Sequence, residues 1–571
     1  MRRLSAFLLP LLLCAAALVG GPVDAADNPQ RPFADDVVYF LVTDRFANGD
    51  PANDQGGMVG GPARHGFDPT DIGMFQGGDF KGLTARLDYI AGLGATAIWI
   101  TPPVVNKVVQ RYEGGMSAGY HGYWATNFLN VDPHLGSNAD FRAFVEAAHA
   151  RGLKVIMDIV VNHTADIIQY RECGALGDAC PYRSSGDYPD TAYTPVLPPG
   201  QERVKNPAWL NDVRHYHNRG ESSFKGESSL RGDFARLDDL RTEDKAVADG
   251  LIEIYKHWIG TYRIDGFRLD TAKHVNADFW HRFVPEITAF ARDQGIADFT
   301  IFGEVADRNI ADLAAHTHLT RLPSVLDFGF FQAAIDTLAD GKGTYVWENW
   351  LRADAVYPAG LERADLPNFI SNHDNGRLAH FISHANPQMP AAEIQARVAL
   401  GHALMFLGRG VPVLYYGDEQ GFIGLGDDKQ ARQPMFATTA RQFNLEPRLG
   451  PRPPAGGDSF NPEHPLYRAI AELAAIRRDH PGLRRGEMVI RHVEDKGGLL
   501  AFSRIDRAAG REYLVLVNMN GTPSTLGVPV EPSAAGWQGV RGICPAQGSA
   551  PNAIRLTVPG LDYLVCVRTL G

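Results

Sequence analysis

The sequence predicts an α/β protein: a (β/α)8 TIM barrel, interrupted by an inserted domain after its third strand and followed by a C-terminal all-β sandwich. Three observations carry this. Roughly eight strand–helix units alternate over about 440 residues, which suits a closed barrel better than an open doubly wound sheet. The alternation lapses over 164–233 into chain containing Cys, Pro, Tyr and Ser, and a long irregular excursion of this kind is usually functional. From about Gly486 the pattern changes to short alternating strands separated by Gly and Pro turns. The expected division is a leader at 1–25, a barrel formed by 26–163 and 234–485, an insertion at 164–233 and a β domain at 486–571.

The leader comes first in the chain. Arg2 and Arg3, an apolar run over 4–20 and the small residues around Ala25 read as a cleaved export signal, and the run is short for a membrane span. A secreted or periplasmic protein with no membrane attachment after cleavage is therefore expected. Four of the five cysteines lie beyond the leader. Cys173 and Cys180 form one local pair, Cys544 and Cys566 another, and two disulfides are expected in an exported chain. The net charge of -11 argues against nucleic acid as a partner.

The elements follow in order. The apolar run 37–42 is of strand type. In the turn behind it, Asn48, Asp50, Asn53 and Asp54 could converge on a hard cation, or could equally make an Asx-rich turn. Gly77-Gly78-Asp79 leads into a helical pattern over 83–93 and a strand at 97–100. A helix over 140–151 and a strand at 154–161 precede the excursion. The alternation then resumes with a helix at 243–262, a strand at 264–269, a helix at 277–294 and a strand at 300–303. It ends with a weaker strand near 324–328, a strand at 368–371, a helix at 391–406 and a strand at 411–415. Strands at 513–517 and 561–567 mark the β domain.

Polar residues collect where strands end, which is where a barrel keeps its catalytic groups. Asp158, Asn162 and His163 close the third strand, and Arg268 and Asp270 close the fourth. Glu304 ends the fifth, and Asn372-His373-Asp374 ends the seventh. An isolated Arg-x-Asp is an ordinary structural ion pair; four such endings at one mouth suit glycosidic bond cleavage. That chemistry needs one carboxylate to attack and a second, its pKa raised, to protonate the leaving oxygen. His163 and His373 can bond sugar hydroxyls, and Tyr123 can stack on a pyranose. A metal hydrolase would need paired His ligands that the pattern lacks.

These endings resemble the signature regions of the α-amylase family of glycoside hydrolases. The segments are Asp158-Ile-Val-Val-Asn-His163, Gly266-Phe-Arg-Leu-Asp-Thr-Ala-Lys-His274, Phe302-Gly-Glu304 and Phe369-Ile-Ser-Asn-His-Asp374. Tyr120-His-Gly-Tyr-Trp124, Leu237-Asp-Asp-Leu240 and 410–419 add further matches, all in the family's order. The resemblance implies that Asp270 is the nucleophile, Glu304 the general acid/base and Asp374 a carboxylate that stabilises the transition state. It implies that Arg268 keeps Asp270 ionised and that Tyr123, His163 and His373 line the subsite under attack. Asp428 and Arg432 would act on the donor side, and Lys273 and His274 on the acceptor side of α-1,4-linked substrates. It further implies Ca2+ at Asn48, Asp50, Asn53, Asp54, Gly77 and Asp79. A second Ca2+ would lie at Asn162, Asp239 and the backbone carbonyl of His274. The insertion and the C-terminal region would be the family's domains B and C.

Among the members, a monomeric α-amylase acting on α-glucan polysaccharides or oligosaccharides is the first expectation. A cyclodextrin glucanotransferase is the nearest rival on the strength of the N-terminal loop. The short stretch after the barrel argues against it, because it leaves no room for extra starch-binding domains. A cyclodextrin- or pullulan-degrading enzyme is a third reading. A non-catalytic binding protein on the same fold would be expected to lose one of the three acids.

Overall fold

The computed structural model describes residues 28–112, 115–173, 180–190, 192–424, 426, 428–454 and 456–570. The leader lies outside them. Seven parallel strands form one sheet: Val38–Leu41, Ala97–Ile100, Lys154–Ile159, Gly266–Leu269, Thr300–Gly303, Pro367–Phe369 and Val411–Tyr415. The first five pair in sequence order, Pro367–Phe369 pairs with Val411–Tyr415, and the first strand pairs with the last, Val38 opposite Val413. The gap between the fifth strand and Pro367–Phe369 is closed by two single bridges, Gly303 to Val325 and Asp327 to Asn368. The weak sixth strand expected near 324–328 is thus present as a bridged segment.

The strands are buried on both faces, as a parallel sheet sheathed in helices requires. Large rings fill the barrel: Phe40 stacks on Trp99 at 3.8 Å, and Phe302 meets Trp99 edge-on at 5.4 Å. Burying one such ring contributes about 1.5–3 kcal/mol. The helices are built around their caps. Ser137 and Asp140 make a reciprocal capping box for Asn138–His149, and Asp244 and Asn276 cap Lys245–Tyr262 and Ala277–Asp293. The helix expected over 83–93 is two, Phe80–Ala85 and Leu87–Gly92.

The insertion leaves and rejoins the barrel through a two-stranded neck, His163–Thr164 antiparallel to Asp238–Asp239. The third strand therefore stops at Ile159, not at Val161. Both expected disulfides are present, Cys173–Cys180 and Cys544–Cys566. The C-terminal sandwich pairs a five-stranded antiparallel sheet with the ladder Ser524–Pro529/Ala553–Val558. Period-two alternation divides the strand Arg511–Asn518 between two cores. Leu514 and Leu516 face the ladder, while Tyr513, Val515 and Val517 face the barrel. Among the described residues no helix is long and apolar enough to cross a membrane.

Candidate active site

At the C-terminal mouth of the barrel, Arg268 binds three carboxylates that arrive on three neighbouring strands. Its Nη1 lies 2.9 Å from Asp158 Oδ1 and 2.7 Å from Asp270 Oδ1, and its Nη2 lies 3.0 Å from Glu304 Oε2. Adjacency in the sheet explains the convergence, since Arg268 stands opposite Asp158 on one side and Phe302 on the other. Thr271 follows Asp270 in a left-handed conformation (φ 47°), and its N–H donates to Glu304 Oε2 at 3.0 Å. Strain of this kind is found where a backbone group has to be aimed.

The charges do not balance within this group. Burial pushes Asp270 well above the usual carboxylate range; Arg268 pulls it back, while Glu304 and Asp158 push it further up. Glu304 is likewise raised by burial, and Asp158 is pushed up to about 6. One guanidinium is thus shared among three acids, and its charge opposes the rise that burial imposes on Asp270 and Glu304.

A second network joins the seventh strand's end. Tyr123 Oη donates to Asp158 Oδ2 at 2.9 Å and meets His373 Nε2 at 2.7 Å. Burial, with Arg432 and Arg268 nearby, holds His373 far below its ordinary pKa, so the ring is neutral. Arg432 fixes Asp374 at 2.9 Å, Asp428 at 2.7 Å and the His373 carbonyl at 2.9 Å. Asp374 is 41% exposed at its side chain, against 9% for Asp270 and 11% for Glu304. The third carboxylate thus faces the cleft while the other two lie at its floor. His163 bonds the Tyr123 carbonyl at 3.2 Å and is held near 4 by burial.

Lys273 and His274 sit one turn past Asp270. Lys273 pairs with Asp307, and the His274 ring bonds the Ser229 carbonyl of the insertion. The sequence reading missed Trp99, which donates to Asp158 Oδ2 at 3.2 Å. It also missed Phe234, which lies parallel to His163 and edge-on to His274, and Asp307. Trp99 lies in an uninterrupted apolar run, where no pattern distinguishes the side facing the cleft. The aromatic spacing of 224–234 beside a neck residue was a signal that could have been read.

The first proposed cation loop has the chemistry of such a site. Asn48 Oδ1 and Asn53 Oδ1 are buried without a partner. Burial, with Asp44, Asp79 and Asp50 adding to it, raises Asp54 to about 6. Asp79 ties the loop together through Gly82, Asp50 and Asn53, and Gly77 leaves room beside Asp54. Asp50 turns outward to Lys81 at 2.5 Å. Among the described residues no three His, Cys, Asp or Glu side chains form a metal cage; the oxygens gathered in this loop are a mixture of amide and carboxylate. At the second place, Asn162 immediately precedes the neck and Asp239 lies within it. Asp239 Oδ2 is held by His217 at 2.5 Å, and the other ring nitrogen of His217 faces Glu243 at 3.0 Å. Burial opposes the charge on His217, yet Asp239 and Glu243 raise it to about 9. One oxygen of this smaller donor set is therefore already engaged.

Residues 40–448 match the model of the alpha-amylase catalytic domain. The chain belongs to the alpha-amylase family of glycoside hydrolases. It is 37% identical to an alpha-amylase of Streptomyces lividans, an alignment covering 99% of this chain and 65% of that protein. It spans 34% to 62% of the next three curated relatives. The structure superposes on an Anoxybacillus alpha-amylase with a TM-score of 0.71 at 25% identity, covering 95% of this chain and 99% of that one. It superposes with a TM-score of 0.72 at 26% identity on CldA, described as a cyclomaltodextrin glucanotransferase with a three-domain ABC distribution, covering 94% and 99%. A three-domain glucanotransferase overturns the argument from chain length: a short C-terminal region does not separate hydrolase from transferase.

Proposed function

We propose that the protein is an exported, monomeric α-amylase that hydrolyses α-1,4-glucosidic bonds with retention. The observation that carries this reading is the single guanidinium of Arg268 joining Asp270 and Glu304, with Asp374 above them at the cleft. Asp270 attacks the anomeric carbon as the glucosidic C–O bond breaks, and the proton held by Glu304 passes to the departing oxygen. Water then attacks the same carbon, Glu304 takes back a proton, and the bond to Asp270 breaks. Two inversions leave an α-anomer. Asp374, oriented by Arg432, bonds sugar hydroxyls as charge develops, and His373 and His163 act as neutral hydrogen-bonding groups. Lys273 and His274 grip the acceptor side, and Asp428 and Arg432 the donor side.

Ca2+ at the N-terminal loop is supported by the two orphaned amide oxygens and the crowded carboxylates. At the neck, support is confined to Asn162, Asp239 and the backbone of His274. Two disulfides and the leader support export. A glucanotransferase is the second reading, favoured by the likeness to CldA. The test is a product profile on starch, pullulan and cyclodextrins, with anomers followed by polarimetry. Linear α-anomeric products are expected; cyclic products from starch would favour the transferase, and β-anomers would defeat retention. Asp270→Asn and Glu304→Gln should each lower kcat on starch by at least about a thousandfold while the protein still folds.

A further inference from the structure

The two loops that carry Asp270 and Glu304 are joined twice. The first join is Arg268 together with the Thr271 N–H. The second lies three residues further along each loop, where Lys273 Nζ meets Asp307 Oδ2 at 3.0 Å. Asp307 is itself fixed. Its Oδ1 accepts the Asn309 N–H at 3.0 Å, and Asn309 caps the helix Ile310–Thr320. The Lys273 side chain is 38% exposed, so a long, partly exposed cation is tethered by one carboxylate anchored to a helix start. Left alone, a lysine loses rotamer entropy when it is ordered on a ligand. A tether that orders it beforehand removes part of that cost.

We propose that Asp307 is a positioning residue: it holds the Lys273 ammonium at the acceptor side and so strengthens the grip on sugars beyond the bond being cut. This rests on the α-1,4-glucan reading above. Asp307 touches no reacting atom and acts through Lys273. Asp307→Asn is the informative change, because the amide retains an oxygen for the Asn309 N–H and loses only the charge that holds Lys273.

The test compares maltoheptaose with α-maltosyl fluoride, whose leaving group occupies no acceptor sugar subsite. Asp307→Asn should lower kcat/KM on maltoheptaose by about threefold, mostly through KM, the size of a half-exposed ion pair. The loss on the fluoride should be clearly smaller, and Asp307→Glu should restore part of the maltoheptaose activity. In a Lys273→Met background the Asp307→Asn change should cause no further loss. Equal losses on both substrates, no loss on maltoheptaose, or an undiminished effect without Lys273 would each overturn the proposal. A wild-type protein that cleaves neither substrate would defeat the underlying reading and this inference with it. Normal wild-type activity with indifferent Asp307 variants would defeat this inference alone.

Discussion

At Tyr123 one hydroxyl bridges two strand ends, donating to Asp158 and facing the neutral ring of His373. Burial pushes its pKa well up, so it stays a neutral phenol. Tyr123→Phe would leave Asp158 with Trp99 and Arg268 and would strip His373 Nε2 of this bond, when its Nδ1 already lacks a partner. Hydrogen bonds to charged groups are worth about 1.5–3 kcal/mol, so kcat/KM on maltoheptaose should fall by at least about tenfold. An unchanged steady-state value would remove the bridge from the mechanism. The acids were legible in the sequence because they interrupt apolar strands at the ends where a barrel opens. Asp307 was not, because a carboxylate in an exposed loop is indistinguishable from solvated surface until its partner is placed. The sharing of Arg268 was hidden for a related reason: the spacing displays it beside Asp270 and conceals Asp158 and Glu304, which also contact it.

Among elements, the N-terminal loop shows how a backbone position controls a prospective ion site. Gly77 has φ +99°, and a Cβ there would stand 2.6 Å from Asn48 Nδ2 and 2.7 Å from Asp54 Oδ1. Gly77→Ala should therefore cost about 1–3 kcal/mol in backbone strain, apart from the clash. If Ca2+ binds here, a chelator should lower the melting temperature of the wild type, because a ligand bound only by the folded state stabilises it. The Gly77→Ala protein should melt lower at the outset and respond little to chelator. Equal chelator shifts in both proteins would assign the cation elsewhere. Strand identity was legible wherever the apolar run was continuous, and Thr300–Gly303 and Val411–Tyr415 match their expected ranges. The sixth position read as weak because the chain contributes only isolated bridges there. The early end of the third strand was hidden by Val160 and Val161, which are as apolar as the strand but are buried outside it, leading into the neck.

For the whole molecule, the barrel has to close between its first and last strands, and a buried carboxylate sits at that seam. Glu419, just past the eighth strand, accepts from Tyr39 of the first strand at 2.8 Å, from Tyr89 at 2.9 Å and from the Gly417 N–H at 2.8 Å. Burial outweighs these donors and raises it from 4.5 to about 7. The folded protein therefore holds a proton that the unfolded chain would release at the same pH. Its contribution to stability is full below about pH 4.5 and declines as pH rises towards about 7, with no further change above that. Glu419→Gln keeps an oxygen for the tyrosine hydroxyls and cannot ionise. The variant's melting temperature, measured against wild type in matched buffers from pH 4.5 to 8, should therefore gain on the wild type up to about pH 7 and then run parallel to it. A difference that stays constant across the window would mean that Glu419 does not change protonation on folding. The seam would then be held closed by strand pairing and packing alone.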